Sequence, residues 1–369
     1  MTLRNDVSSD TAPAAPLDTS DDSSPSVTGG VPDPSAGVGD APEPPDTTSD
    51  PVRGRMAWAA QTSIPGIVLR RVRDGVITLF LVIAVIFTLT DLVGDPALVY
   101  APVDASAEEI ARIERAFGLD RPFPERFVDY FTNIVQGDFG RSYWQNRPAL
   151  DAVLEALPST IMLTLAGIVG AALFGVGAGV LAGARPNSRF DKISNFFSVS
   201  ALSVPNFWLG LLLIFVFAVR LGWFPTSGKF GWSSIVLPAV TIAIVHGGRI
   251  YLLVRSATVE EMSKPYVRVA RSKGLSSNRV LRRHVLRNTG LTTATITGWE
   301  YVRMWGGAVF AIEYVFAWPG IGTLMINAAD RQDFFVLQTA VIIAGAFVIV
   351  SNLVIDLMYR AIDRRIGAA

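Results

Sequence analysis

The chain has 369 residues, half of them apolar and only 17% charged; a soluble domain carries about a quarter charged side chains, so the composition excludes an ordinary soluble protein. There is no cysteine, which excludes disulfides, thiolate metal sites and thiol catalysis. The formal net charge of +0 hides two unlike parts: residues 1–55 hold ten of the 32 Asp/Glu and three of the 32 Lys/Arg, leaving a basic body with 29 Lys/Arg against 22 Asp/Glu.

Residues 1–55 are rich in Pro, Ser, Thr, Asp and Gly and nearly devoid of large apolar side chains. Such a stretch cannot bury enough surface to offset chain entropy, so it is expected to be a disordered acidic tail. It serves either as a solvated extension or as a docking segment. It is not a secretory signal, because the basic stretch (56–74) and the first apolar run come too late. Six apolar segments follow, at about 75–94, 159–184, 196–219, 235–254, 291–310 and 335–358. Each is near the length a helix needs to cross roughly 30 Å of hydrocarbon. The fold class is therefore an all-α polytopic membrane protein with six transmembrane helices over 75–366.

The long loop 95–158 opens with Ser106-Ala-Glu-Glu109, a capping box that starts a helix running to about Phe117. A second amphipathic helix follows over 125–135, with Phe127, Tyr130, Phe131 and Ile134 on one side. In the second segment Gly167, Gly170, Gly175, Gly179 and Gly183 are spaced for close helix–helix approach. Pro205 and Pro238 are expected to interrupt the third and fourth segments. The fifth carries Glu300 and Arg303, which either pair with each other at i, i+3 or line a polar pathway; His246 and Arg249 in the fourth join the same group. The more ordinary reading of His246 is a packed helix residue.

Sidedness follows from the short basic loops. Arg70, Arg71 and Arg73, then Arg185, Arg189 and Lys192, then the loop 255–288, then Arg360, Arg364 and Arg365 all fall on one side if every segment crosses. That side is the cytoplasm, with both termini in it. The loop 95–158, with six Arg and eleven Asp/Glu, is external.

The loop 255–288 reads as two short helices. Ser263 is a candidate N-cap, Pro265 suits a first turn, Gly274 a C′ stop, and Ser276 or Ser277 a second cap. Tyr266, Val269, Ala270 and Lys273 recur at helical spacing, so one side of the first helix is mostly apolar. Periodicity leaves three readings open: a helix docking into a partner's groove, a plain positive-inside loop, or a basic helix lying on anionic lipid.

Tyr266-Val-Arg-Val-Ala-Arg-Ser-Lys-Gly274-Leu, followed by Arg283-His-Val-Leu-Arg-Asn288, resembles the cytoplasmic "EAA" loop of binding-protein-dependent ABC importer permeases, in the version of the dipeptide/oligopeptide family. Arg268 stands where sugar permeases carry the acidic residue, as in the peptide branch, and Gly290-Leu291-Thr292 replaces the family's Leu-Leu-Pro. Gly118-Leu-Asp-Arg-Pro122, Gly137-Asp-Phe-Gly-Arg-Ser142 and Glu313-Tyr-Val-Phe-Ala-Trp-Pro-Gly-Ile-Gly322 are similar to the same family, in order, over about 70–366, and the external loop resembles that of the first of two permeases.

The resemblance implies an importer with a second permease, two cytoplasmic ATPase subunits that bind ATP and Mg²⁺, and an external binding protein, in a bacterial inner membrane. It implies that Tyr266, Val267, Arg268, Ala270, Arg271, Lys273 and Gly274 form the coupling helix. The substrate is expected to be a dipeptide or oligopeptide, with nickel chelates or glycosides as family alternatives.

Chemistry of the chain's own is not expected. The closest approach to a phosphate loop, Gly222 to Lys229, has five residues between its glycines and Phe230 where a hydroxyl is needed. Two histidines and no HExxH leave no metal site, and no Ser lies in a GxSxG frame, so no catalytic residue is assigned. A gradient-driven transporter is the rival class; it would want repeat symmetry or ion-ligating clusters.

Overall fold

The computed structural model describes residues 64–93, 101, 105–117 and 120–362. The expected acidic tail and residues 56–63 lie outside the described residues. Within them the chain is helical, and the only β feature is an isolated bridge between Arg141 and Pro148.

The first helix, α1 (Ile64–Val93), leaves Leu69, Val76, Phe80, Val85 and Leu92 exposed, the inverse of a soluble helix and the pattern of a surface meant for lipid or another chain. Two helices of the long loop follow. α2 (Ala107–Phe117) forms the predicted capping box: the Ser106 N–H donates to Glu109 Oε2 at 2.9 Å and the Glu109 N–H donates to Ser106 Oγ at 3.3 Å. The Ser106 N–H holds the Glu109 carboxyl below its usual range. α3 (Phe123–Val135) turns its aromatic side onto α1, stacking Tyr130 on Phe87 at 4.9 Å and setting Phe131 against Phe80 at 5.4 Å. Burial raises the Tyr130 hydroxyl, and Arg126 pairs with Asp91 at 2.6 Å to fix the α1–α3 contact.

α4 (Ala149–Ala184) starts ten residues earlier than the apolar run suggested, because the helix continues through Pro158 instead of stopping there. Its 36 residues extend roughly 54 Å, well beyond the hydrocarbon thickness. The third segment is not one straight span. Pro205 breaks it into α5 (Arg189–Ser203) and α6 (Asn206–Leu213, continued by a π-helical stretch Ile214–Arg220), bent by 109°. The expected kink at Pro238 is absent: Pro238 is the third residue of α7 (Val236–Ser263), where its missing N–H has no intrahelical partner to lose.

α4 and α7 form the centre of the bundle. A Cβ at Gly175 would lie 2.6 Å from the Gly247 carbonyl oxygen, one at Gly179 3.0 Å from the Tyr251 oxygen, and one at Gly183 2.8 Å from the Arg255 oxygen. Gly167 and Gly170 face Ile242 and Ala243 of the same helix, so all five predicted glycines lie on this contact.

After α7 come α8 (Pro265–Ser272), α9 (Ser277–Val280), a π-helical turn Leu281–Val285, and α10 (Leu286–Arg303). α10 is separated from α11 (Val309–Val315) by a break at Gly306 and Gly307, the latter with φ 113°. α12 (Ile321–Asp330) and α13 (Phe334–Ile362) complete the chain, with α13 packed on α1. Among the described residues four helices are long and apolar enough to cross a membrane, and the α5–α6 pair makes a fifth if counted as one span. The segment expected at 291–310 is the broken α10–α11 run.

Candidate functional site

Two features carry functional side chains, and α7 and α10 connect them. The first is α8 at one end of the bundle. Its eight residues are too few for a stable isolated helix, so tertiary contacts and caps must hold it. At the N-terminus the cap is Lys264, extended at φ −64° and ψ 149°, and not Ser263, which ends α7 and donates its hydroxyl to the Glu260 carbonyl. Pro265 fills the first helical position. At the C-terminus Gly274 adopts φ 77°, its N–H donates to the Arg271 carbonyl, and the Leu275 N–H donates to the Ala270 carbonyl. That is the Schellman stop the glycine predicted.

The two sides of α8 divide differently from the predicted stripe. Val267 and Ala270 sink into the bundle core, Tyr266 is half-buried, and Val269 is 55% exposed. Arg268, Arg271 and Lys273 are exposed, so the outward side is cationic around a single apolar valine.

One carboxylate holds α8 in place. Glu261, on the last turn of α7 and 7% exposed, accepts from Lys264 Nζ at 2.5 Å, Tyr266 Oη at 2.7 Å and Asn288 Nδ2 at 3.0 Å. The Glu261 contact raises the Lys264 ammonium, and burial raises the Tyr266 phenol. Sequence reasoning missed Glu261, since a glutamate in a basic loop looks like a solvated surface charge. The nearest signal was Lys264 three residues on; Asn288 is 27 residues away. Asp191, 2% exposed, was missed in the same way: it pairs with Arg255 and accepts from Tyr251 Oη, tying α5 to α7.

The second feature lies further along α7 and α10. Glu300 is 1% exposed, and the three other charged or titratable residues predicted in the spans converge on its carboxylate. His246 Nδ1 is 3.0 Å from Oε2, Arg303 Nε is 3.2 Å from Oε1, and Arg249 Nη1 is 3.9 Å from Oε2. The i, i+3 pair therefore forms, and His246 and Arg249, expected in the same group, share its carboxylate. The arginine side chains are 38% (Arg249) and 58% (Arg303) exposed, so donors remain accessible beside a buried carboxylate. His246 Nε2 is buried without a hydrogen-bond partner among the described residues.

At the opposite end two of the three other motifs make structural contacts, and the third, 118–122, begins outside the described residues. Glu313 is fully buried and accepts from the Gly322 N–H at 2.7 Å. Cβ atoms at Gly320 and Gly322 would collide with its carboxylate. Trp318 Nε1 donates to the Ser159 carbonyl, pinning this turn to α4. Ser142 donates to the buried Asp333, which joins the 137–142 motif to the start of α13. Lys229, from the stretch that loosely matched a phosphate loop, rests on Ser159 Oγ at 3.1 Å and above the Trp318 ring. No cluster of potential metal ligands occurs among the described residues.

Comparison with known proteins identifies the family. The family "Binding-protein-dependent transport system inner membrane component" matches residues 175–368, and its N-terminal companion family matches 66–164. The glutathione transport system permease protein GsiC of Escherichia coli (strain K12) is 36% identical over 297 residues, covering 80% of this chain and 97% of the relative. GsiC of Shigella flexneri serotype 5b is 35% identical over the same coverage. Among solved structures, the inward-facing MetNI methionine ABC transporter aligns with a TM-score of 0.48 at 17% identity, covering 57% of this chain and 96% of that one. A family match over more than half the chain, together with relatives matched nearly end to end, places this protein among the inner-membrane components of binding-protein-dependent transport systems, as an ABC permease of the dipeptide/oligopeptide type.

Proposed function

We propose that the chain forms half of the translocation pathway of a bacterial importer for short peptides, with α8 as the element that couples it to cytoplasmic ATPase subunits. As a multi-pass ABC permease it works with a second permease, ATPase subunits and a substrate-binding protein, and hydrolysis of ATP belongs to those partners. ATP and Mg²⁺ are held there and not in this chain. The distribution of basic loops supports an orientation with α8 and both termini in the cytoplasm and 95–158 outside.

The observation that carries the coupling role is the build of α8: capped at Gly274, anchored inward by Val267 and Ala270, and presenting Arg268, Val269, Arg271 and Lys273 outward. A rigid short helix transmits displacement where a loose loop would absorb it. The peptide reading is supported by the name of the GsiC relatives, since glutathione is a tripeptide with free ammonium and carboxylate groups. It is also supported by the accessible guanidinium donors of Arg249 and Arg303, which suit a free carboxylate.

The test uses the complete importer in proteoliposomes. Val269→Asp and Arg271→Glu change only the outward side of α8. They are expected to reduce ATP-driven import about tenfold or more and to weaken retention of the ATPase subunits on purification. Wild-type import by both variants would overturn the coupling role.

A further inference from the structure

α7 and α10 run antiparallel and are bonded to each other at two levels. At the α8 end, Asn288 Nδ2 donates to Glu261 at 3.0 Å; inside the bundle, His246 Nδ1 meets Glu300 at 3.0 Å. The rungs are separated by roughly 22 Å along α7 and roughly 18 Å along α10, at 1.5 Å of rise per residue. The pair is thus fixed near both ends of its shared length. The lower rung is also where α8 is attached: Lys264, Tyr266 and Asn288 all donate to the same Glu261 carboxylate, and Asn288 Nδ2 lies 3.2 Å from Tyr266 Oη.

The geometry points to Glu261 as a positioning residue that seats α8 on the α7–α10 ladder, so that a load applied to α8 moves the His246–Glu300 rung. This inference rests on the reading of α8 as the coupling element. Among the described residues the polar side-chain anchors of the N-terminal half of α8 run through Glu261 and Asn288: the Lys264 cap makes no side-chain cap bond, Pro265 has no N–H to give, and Tyr266 Oη meets Glu261 at 2.7 Å and Asn288 Nδ2 at 3.2 Å. Without Glu261, one 3.2 Å contact from Asn288 Nδ2 to Tyr266 Oη remains, and the rest of the hold on α8 is the apolar insertions of Val267 and Ala270. Those insertions are non-directional, and they permit the helix to rock about its axis where a triply bonded carboxylate does not. The carboxylate accepts from all sides of this junction, since Lys264 and Tyr266 belong to α8 and its cap, Asn288 to α10, and Glu261 itself to α7.

A carboxylate that merely stabilised the fold would, on removal, lower ATP hydrolysis and import together. A positioning residue alters their ratio. In the reconstituted importer, Glu261→Ala is expected to keep ATP hydrolysis within about twofold of wild type while import per ATP falls about tenfold. Tyr266→Phe, which deletes one donor, should lower that ratio about threefold, and the double variant should be no worse than Glu261→Ala, because both act through one node. Glu261→Gln retains an acceptor oxygen and should recover at least part of the ratio. An unchanged ratio in Glu261→Ala and Tyr266→Phe overturns the inference, and so does a parallel fall of import and hydrolysis. If Glu261→Ala fails to assemble, Tyr266→Phe decides alone. Val269→Asp separates the two levels: its failure to reduce import removes the coupling role of α8, whereas loss of import with that variant and an unchanged ratio in Glu261→Ala removes only the role of Glu261.

Discussion

Glu300 is the residue at which packing and transport make different demands. A carboxylate 1% exposed within an apolar bundle is sustained only by its cationic and hydrogen-bonding partners, here His246, Arg303 and Arg249. Glu300→Gln keeps the volume but leaves two guanidinium groups uncompensated, and is expected to destabilise the subunit by about 3 kcal/mol. Arg303 is more than half exposed, so Arg303→Gln should cost under about 1 kcal/mol once solvent screening is allowed for. Its effect should fall on transport instead: import of a peptide with a free C-terminal carboxylate should drop, and import of the C-terminally amidated peptide should not. Equal effects on the two peptides, measured as import rates in the same vesicles, would assign Arg303 to structure alone. The cluster was legible in the sequence because charges stand out in apolar runs. That His246 and Arg249 share the carboxylate was not, since nothing local to residues 246–249 specifies which face of α10 they meet.

At the scale of elements, the α4–α7 pair shows how far small residues determine architecture. Gly175 lies against the Gly247 carbonyl with no space for a Cβ, whereas Gly177, two residues on, has nothing within 4 Å. Gly175→Val should therefore force the helices apart and abolish accumulation of folded subunit, at a cost of several kcal/mol. Gly177→Ala should be neutral or slightly stabilising, by up to about 1 kcal/mol, through higher helix propensity. Thermal unfolding in detergent by tryptophan fluorescence checks both, and a stable Gly175→Val would contradict the close approach. This contact could be anticipated, since five glycines on a helical run have few other uses in lipid. The breaks were harder to foresee. A proline marks a place where a helix can be interrupted but not by how much, and Pro158, Pro205 and Pro238 end as a continuous helix, a 109° bend and a first-turn residue. What separates them is how neighbouring chains satisfy the freed carbonyls, which is tertiary information. Gly306-Gly307 is the local signal for the α10–α11 break, since adjacent glycines weaken a helix and Gly307 adopts φ 113°.

The topology turns on that broken segment, because among the described residues it falls short of a span by length and apolarity even when the bent α5–α6 pair is counted as one, while the alternation of basic loops calls for it to cross. Long-range bonds support the crossing. Asn288 is tied to Glu261 at the α8 end, while Asp333 is tied to Ser142 and Arg331 stacks on Trp144 at the other. The chain must travel between the two ends somewhere in 288–333, and α10 with α11 is the path. Absence of native cysteine makes the prediction direct. Single cysteines at the exposed positions Gln136, Ser227, Ser272 and Ala329 sample four of the five connections between the six segments. In intact cells a membrane-impermeant maleimide should label 136, 227 and 329, and should label 272 only after permeabilisation. Labelling of 272 in intact cells would invert the orientation and remove α8 from the ATPases. Protection of 329 with labelling of 227 would mean that α10 and α11 enter and leave on one side, and the six-span arrangement would fall to five. A buried pair such as Ser142–Asp333 makes that second outcome difficult to build: it would require residues 142 and 333 to lie on opposite faces of the membrane while sharing a hydrogen bond.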